Sequence, residues 1–376
     1  MKLHTIIFLC FIVYGMINPI RGEEPKTLPI GAIAPDFSLP GIDGRIYSLE
    51  DFHDSAVLVI IFTANHCPTA QAYEQKILDL YYDFAPKGAA FVLVSPNSPD
   101  ALCLEELGYS DLGDSFEEMK IRAAERNFPM PYLFDGEKQE MSRKYGPTAT
   151  PHVFIFDSFR KLRYTGRIDD TENPYIKPNR EDAREALQAL LEGKPVPVEK
   201  TKTFGCSIKW AEKAEWRKKL DAEWEAKPVV LKDISAEEIR QLLQNKTDRY
   251  LLVNVWATWC GPCIVELPEL IKIQRMYGNR NFALVTISAD AIKNKPQVLA
   301  FLKNKHIAVN NYIYNGSDKY ILMDAIDKNW SGALPYILFI EPGGEVIYAY
   351  QGAIDPLQIK KLIISKLGRY YADDNK

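Results

Sequence analysis

An apolar run that ends in a cysteine occurs twice in this chain. The first is SAVLVIIFTANHC, residues 55–67, and the second is LLVNVWATWCGPC, residues 251–263. Each run is short and rich in β-branched residues, as a strand buried on both faces is. Each is followed by a helical pattern, Pro68 to Phe84 in the first half and CIVELPELIKIQRMYG in the second. A cysteine at a strand-to-helix junction meets unpaired N–H groups and the positive end of the helix dipole, which stabilise a thiolate. The two copies differ where the chemistry lies. Cys260 has a second cysteine, Cys263, three positions on, whereas the position matching Cys263 in the first copy is Ala70.

The flanking elements repeat in the same order. APDFSLPGIDGRIYSLEDF, with Phe37, Leu39, Tyr47 and Leu49 around a Gly-containing turn, reads as a hairpin. AAFVLVSPN is a strand, Ser115 to Asn127 and Lys138 to Tyr145 are helical, TATPHVFIFDSFRKLRYTG is strand, turn, strand, and EDAREALQALLEG is a closing helix. In the second half SAEEIRQLLQNK is a helix opened by a Ser235/Glu238 capping box. NFALVTISAD is a strand, QVLAFLKNK a helix, ALPYILFIEPGGEVIYAYQG a strand pair, and DPLQIKKLIISKLG the last helix. Alternating strands and helices that end in a hairpin predict an α/β fold with two tandem copies of a mixed sheet flanked by helices. A length of 376 residues suits two domains. The boundaries expected are 28–206 and 229–370, joined by a charged helical linker, 207–228. Trp216, Leu220 and Trp224 form one stripe on that linker, which reads as a connector packed on one domain or as a client-binding face.

At the N-terminus, MKLH carries positive charge, TIIFLCFIVYGMI is apolar and NPIRGEE follows. The apolar run has the length of a signal-peptide core and falls short of the ~20 residues of a membrane span. The expectation is a signal peptide over 1–22 and an exported mature protein; an uncleaved membrane anchor is the alternative. Composition excludes little else. A net charge of −4 with 26% charged residues gives no basic excess for nucleic acid and no acidic tail. Removing the segment with Cys10 leaves Cys67, Cys103, Cys206, Cys260 and Cys263. An odd number that includes C-x-x-C points to redox chemistry more than to structural bridges.

In WCGPC the helix start makes Cys260 the exposed nucleophile, and Cys263, one turn in, the group that resolves a mixed disulfide. Zinc needs further ligands, and the second half offers only His306. A structural bridge is the other alternative. VNVWATWCGPCIVELPEL resembles the exported TlpA/ResA-like thiol-disulfide oxidoreductases of the thioredoxin superfamily, over most of 229–370. The resemblance implies a thioredoxin fold, no cofactor and no metal, disulfide-containing protein substrates, and reduction fed by a membrane thiol donor. It also implies a cis-proline at Pro335, which with Trp259 positions the substrate. Asn254 stands where cytosolic thioredoxins carry a buried Asp, so Glu266 is the carboxylate expected to assist Cys263.

In the first half, APDFSLPGIDGRIYSLEDF, TANHCPTAQAYE and FGCSIKW resemble the AhpC/TSA peroxiredoxin-like redoxins. Pro151 in TATPHVFIF takes the place of Pro335. Peroxiredoxins hold peroxide with a Thr and a Pro ahead of the reactive cysteine; here Ala64 and Ile60 occupy those positions. Cys67 therefore reads in two ways. In one it is an inert buried thiol. In the other it is a peroxidatic cysteine, resolved by Cys206 or Cys103 and re-reduced by the second half, with peroxide as co-substrate. A non-enzymatic holdase that grips unfolded clients is the remaining alternative.

Overall fold

The computed structural model describes residues 25–371, so the expected signal peptide, 1–22, lies outside the described residues. The chain forms two thioredoxin-like domains, each a mixed sheet flanked by helices.

The first domain opens with a hairpin, β1 (Ser38–Pro40) and β2 (Ile46–Ser48). Then follow β3 (Val57–Phe62), α1 (Pro68–Phe84), β4 (Ala89–Ser95), α2 (Phe116–Arg126), β5 (Tyr132–Phe134), α3 (Glu140–Tyr145), β6 (His152–Phe156), β7 (Leu162–Gly166) and α4 (Asp182–Leu191). The sheet order is β5-β4-β3-β6-β7, with β3, β4 and β5 parallel and β6 and β7 antiparallel. All six residues of β3 are buried, because helices cover one face and the hairpin and α3 the other. That is why the strand is continuously apolar instead of alternating.

A connecting helix, α5 (Ala214–Glu225), leads to the second domain. Its elements are β8 (Leu231–Ile234), α6 (Ala236–Leu243), β9 (Tyr250–Trp256), α7 (Gly261–Tyr277), β10 (Phe282–Ser288), α8 (Lys295–Asn304), β11 (Asn310–Tyr314), α9 (Lys319–Ile326), β12 (Tyr336–Ile340), β13 (Val346–Gln351) and α10 (Pro356–Leu367). The order β13-β12-β9-β10-β11-β8 repeats the five strands of the first sheet and adds β8 at one edge, with β9 in the place of β3 and α7 in that of α1. Sequence patterning did not single out β8, β11 and α9. LKDI and NNYIY are short and carry polar residues, so neither shows a buried-strand run.

The expected stripe on α5 divides. Trp224 is half-buried on the second domain and donates its indole N–H to the His306 carbonyl at 3.1 Å, whereas Trp216 is exposed. Ile208, Lys209 and Trp210, at the start of the stretch read as linker, are buried. The domains pack through the loop before α2, whose Leu102 and Leu107 join the apolar cluster around Ile273, Met276 and Tyr277 of α7. Arg275 pairs with Glu105 at 2.9 Å, Arg280 donates to the Gly108 carbonyl at 2.8 Å, and Tyr277 donates to the Ser110 carbonyl at 2.7 Å. These contacts lie at the far end of α7 from its cysteines. At 1.5 Å per residue, Cys260 stands ~24 Å along the axis from Met276.

Candidate active sites

In the second domain β9 delivers the chain to a turn held by Asp290, whose carboxylate accepts from the Thr258 N–H at 2.9 Å and its hydroxyl at 2.6 Å. Cys260 then caps α7, its sulfur facing the Cys263 N–H at 3.3 Å. Cys260 and Cys263 are joined as a disulfide. Cys260 is the outer sulfur, 6% exposed against 1% for Cys263. Trp259 stands beside them in solvent. It borders a cleft of about 640 Å³ lined also by Asp290, Tyr314, Met323, Trp330 and Leu334. The Leu334–Pro335 bond is cis. No backbone hydrogen bond joins Leu334 to another described residue, so this edge beside the disulfide is open.

Glu266 is buried on the Cys263 side of α7. Its carboxylate accepts from Asn254 Nδ2 at 3.0 Å and from the Ile354 N–H at 3.0 Å. Burial pushes its pKa above the usual carboxylate value, and the two hydrogen bonds only partly offset that. A buried carboxyl whose pKa is raised can exchange a proton with a neighbouring thiol more readily than an ordinary carboxylate can.

In the first domain Cys67 caps α1 in the same way, facing the Ala70 N–H at 3.4 Å, but it is fully buried. Its S–H donates to the Thr150 carbonyl at 3.0 Å, within a Thr150–Pro151 bond that is also cis. The Cys206 N–H lies 3.4 Å from the Cys67 sulfur, and the two thiols are within hydrogen-bonding reach of each other. Burial pushes the Cys67 pKa up, but the Cys206 thiol, the charge of His66, Thr150 and the Ala70 N–H outweigh it and bring it to about 6. The same contact and burial push Cys206 up.

Behind Cys67 lies a buried charge network. His66 Nδ1 meets Asp114 Oδ2 at 2.6 Å, and both side chains are excluded from solvent. Asp114 also accepts from Asn97 Nδ2 at 2.7 Å and the Asn65 N–H at 2.8 Å. Burial lowers the His66 pKa, but the Asp114 carboxylate outweighs it and raises it overall. Sequence reading gave neither His66 nor Asp114 a role. The one available signal was an acidic residue directly before the Ser115 cap of α2.

Cys103, the other candidate partner of Cys67, is buried with its N–H on Glu106 at 3.1 Å and makes no contact with Cys67 among the described residues. Burial and Glu106 push its thiol up to about 11. Ala64 is buried beside Cys67, Ile60 is buried in the core under the hairpin, and Arg167 is engaged by Asp182 at 2.7 Å. The end of the second domain reaches this site as well. Arg369 binds Asp111 at 2.8 Å, and the Tyr371 hydroxyl lies 3.2 Å from that of Thr69.

Two thioredoxin-like folds, each with a cysteine capping the helix after its central strand, define a class of thiol-active proteins. Residues 30–165 match the AhpC/TSA family model and residues 221–362 match the Redoxin family model. The chain is 29% identical over 136 residues to the thiol-disulfide oxidoreductase ResA of Oceanobacillus iheyensis, covering 33% of this chain and 62% of that protein. It is 37% identical over 71 residues to the thioredoxin-like protein YneN of Bacillus subtilis, covering 19% of this chain and 41% of that protein. The chain thus spans less than two thirds of either relative. Among solved structures, an uncharacterized conserved protein from Geobacillus kaustophilus is 39% identical with a TM-score of 0.45, covering 50% of this chain and 95% of that one.

Proposed function

We propose that the protein is an exported thiol-disulfide oxidoreductase that reduces disulfides of protein substrates through Cys260 and Cys263. The observation that carries the reading is the Cys260–Cys263 disulfide at the start of α7, set under exposed Trp259 and beside the open Leu334 edge. An extended substrate segment can pair along that edge as an added strand. In the reduced protein the Cys260 thiolate attacks a substrate sulfur, forming a mixed disulfide and releasing the first substrate thiolate. Glu266 takes the proton of Cys263, whose thiolate attacks Cys260; the second substrate thiolate leaves and the Cys260–Cys263 disulfide forms. Two electrons from a membrane thiol donor then restore the dithiol. Export is supported by the charged start and apolar run of residues 1–22.

Turnover of a disulfide-bonded probe protein such as insulin, with dithiothreitol as reductant, tests this. Cys260→Ser should remove the acceleration over reductant alone, and Cys67→Ser should leave it unchanged. Equal rates for Cys260→Ser and the unsubstituted protein would overturn the reading.

A further inference from the structure

The edge that is open beside Leu334 in the second domain is filled, in the first, by the chain itself. Thr150 pairs antiparallel with Cys206, its N–H donating to the Cys206 carbonyl at 2.9 Å. Gly205, at φ +127°, makes the approach possible, since a Cβ there would fall 2.0 Å from the Thr150 carbonyl oxygen. Lys209 anchors the far end of the segment, its N–H donating to Asn97 Oδ1 at 2.8 Å while Asn97 holds Asp114. GCSIKW therefore lies where an added strand would lie and presents its own cysteine to Cys67. His66, 2% exposed and next to Cys67, has an Nε2 with no hydrogen-bond partner among the described residues. A buried polar atom left unpaired in this way calls for an explanation, and proton exchange with a thiol is one.

We propose that Cys67 and Cys206 are a second dithiol–disulfide centre, in which residues 205–209 take the place of a substrate peptide and the outside reactant is a small disulfide that exchanges at Cys206. The arrangement explains why the most acidic thiol is also completely buried. Cys67 attacks only the sulfur its own chain presents, and partly buried Cys206 is the more exposed of the two. Cys206 first exchanges with R–S–S–R, forming Cys206–S–S–R, and its proton leaves with the departing R–SH. The Cys67 thiolate then attacks the Cys206 sulfur, the new bond forms, and the second R–S⁻ leaves and is protonated from His66. The protein loses two electrons and two protons, and the disulfide becomes two thiols. In the reverse direction an outside thiolate attacks Cys206 and Cys67 leaves as a stabilised thiolate, the better leaving group of the two.

The test uses the full chain with Cys260→Ser and Cys263→Ser, so that its failure is separable from failure of the second-domain reading. After exposure to oxidised glutathione, free thiols are alkylated and the peptides mapped by mass spectrometry. The expected product is a Cys67–Cys206 cross-link with Cys103 alkylated. Adding Cys67→Ser should leave glutathione on Cys206. Adding Gly205→Ala should slow cross-linking at least tenfold while the glutathione adduct still forms. A Cys67–Cys103 link overturns the proposal. So does a glutathione adduct that persists on Cys206 beside free Cys67, or two unreacted thiols in a protein with unchanged circular dichroism.

Discussion

Asp114→Asn is the substitution that most sharply separates a tuned Cys67 from an incidental one. Asp114 Oδ2 receives His66 Nδ1 at 2.6 Å and Asn97 Nδ2 at 2.7 Å. An amide nitrogen in that place faces two donors, so the imidazole must turn Nδ1 into an acceptor and give up its charge. Cys67 then loses the positive neighbour that, with Cys206, Thr150 and Ala70, holds its pKa at about 6 against burial. The Cys206 and Ala70 contacts stay, so the rise is partial, and each unit of it costs the thiolate about 1.36 kcal/mol, against about 3.4 kcal/mol for a full return to the free value of ~8.5. At pH 7 the ionised fraction falls from about nine tenths toward the roughly 3% of a free thiol. A rate assay would show little of this, because a more basic thiolate is more nucleophilic. With a Brønsted coefficient of ~0.4–0.5, a roughly thirtyfold loss of thiolate is offset about tenfold. The thiolate absorbance near the ultraviolet edge is the right measurement, in protein with Cys10, Cys260 and Cys263 replaced by Ser. Cys103 and Cys206 are both pushed above the ordinary thiol value, so the step below pH 8 belongs to Cys67. Its midpoint should move upward from near pH 6. An unmoved midpoint would refute the assignment of His66 and Asp114 to the thiolate.

Two further outcomes follow from the packing. Arg280→Ala removes the charged donor to the Gly108 and Leu367 carbonyls and its stacking on Tyr109, at 4.2 Å. At about 1.5–3 kcal/mol per charge-assisted hydrogen bond, calorimetry should show the second domain melting roughly 6–12 °C lower and apart from the first; one unchanged transition would contradict this. The Glu266 pKa is raised by burial, so its stabilising form is the protonated one, complete below the unfolded value of ~4.3 and lost as pH rises through the folded value. Stability relative to Glu266→Gln should therefore fall as pH rises above the unfolded value, and a rise in denaturation midpoints there would rule out burial as the dominant influence.

Local features carried much of the fold in the sequence. The two cysteine-ended strands, α1 from Pro68 and the Ser235/Glu238 capping box all declare themselves within a few residues, because burial on both faces and helix capping are short-range demands. What depends on distant chain segments did not. Cys206 and Cys103 are both candidate partners of Cys67 by sequence, but the choice rests on pairing with Thr150 that Gly205 permits, 139 positions from Cys67, and no spacing reveals that. Asp114 was hidden because an acidic residue before a Ser-capped helix looks like ordinary capping. Leu102 and Leu107, in a loop, become core only because α7 of the other domain covers them.

The central claim is that protein disulfides are exchanged at Cys260 and not in the first domain. The most direct measurement is trapping: Cys263→Ser protein is reduced, mixed with a disulfide-bonded probe protein, quenched with acid and mapped by mass spectrometry. Without Cys263 to resolve it, the mixed disulfide should accumulate on Cys260. Probe bound through Cys67 or Cys206 with Cys260 free would contradict the account.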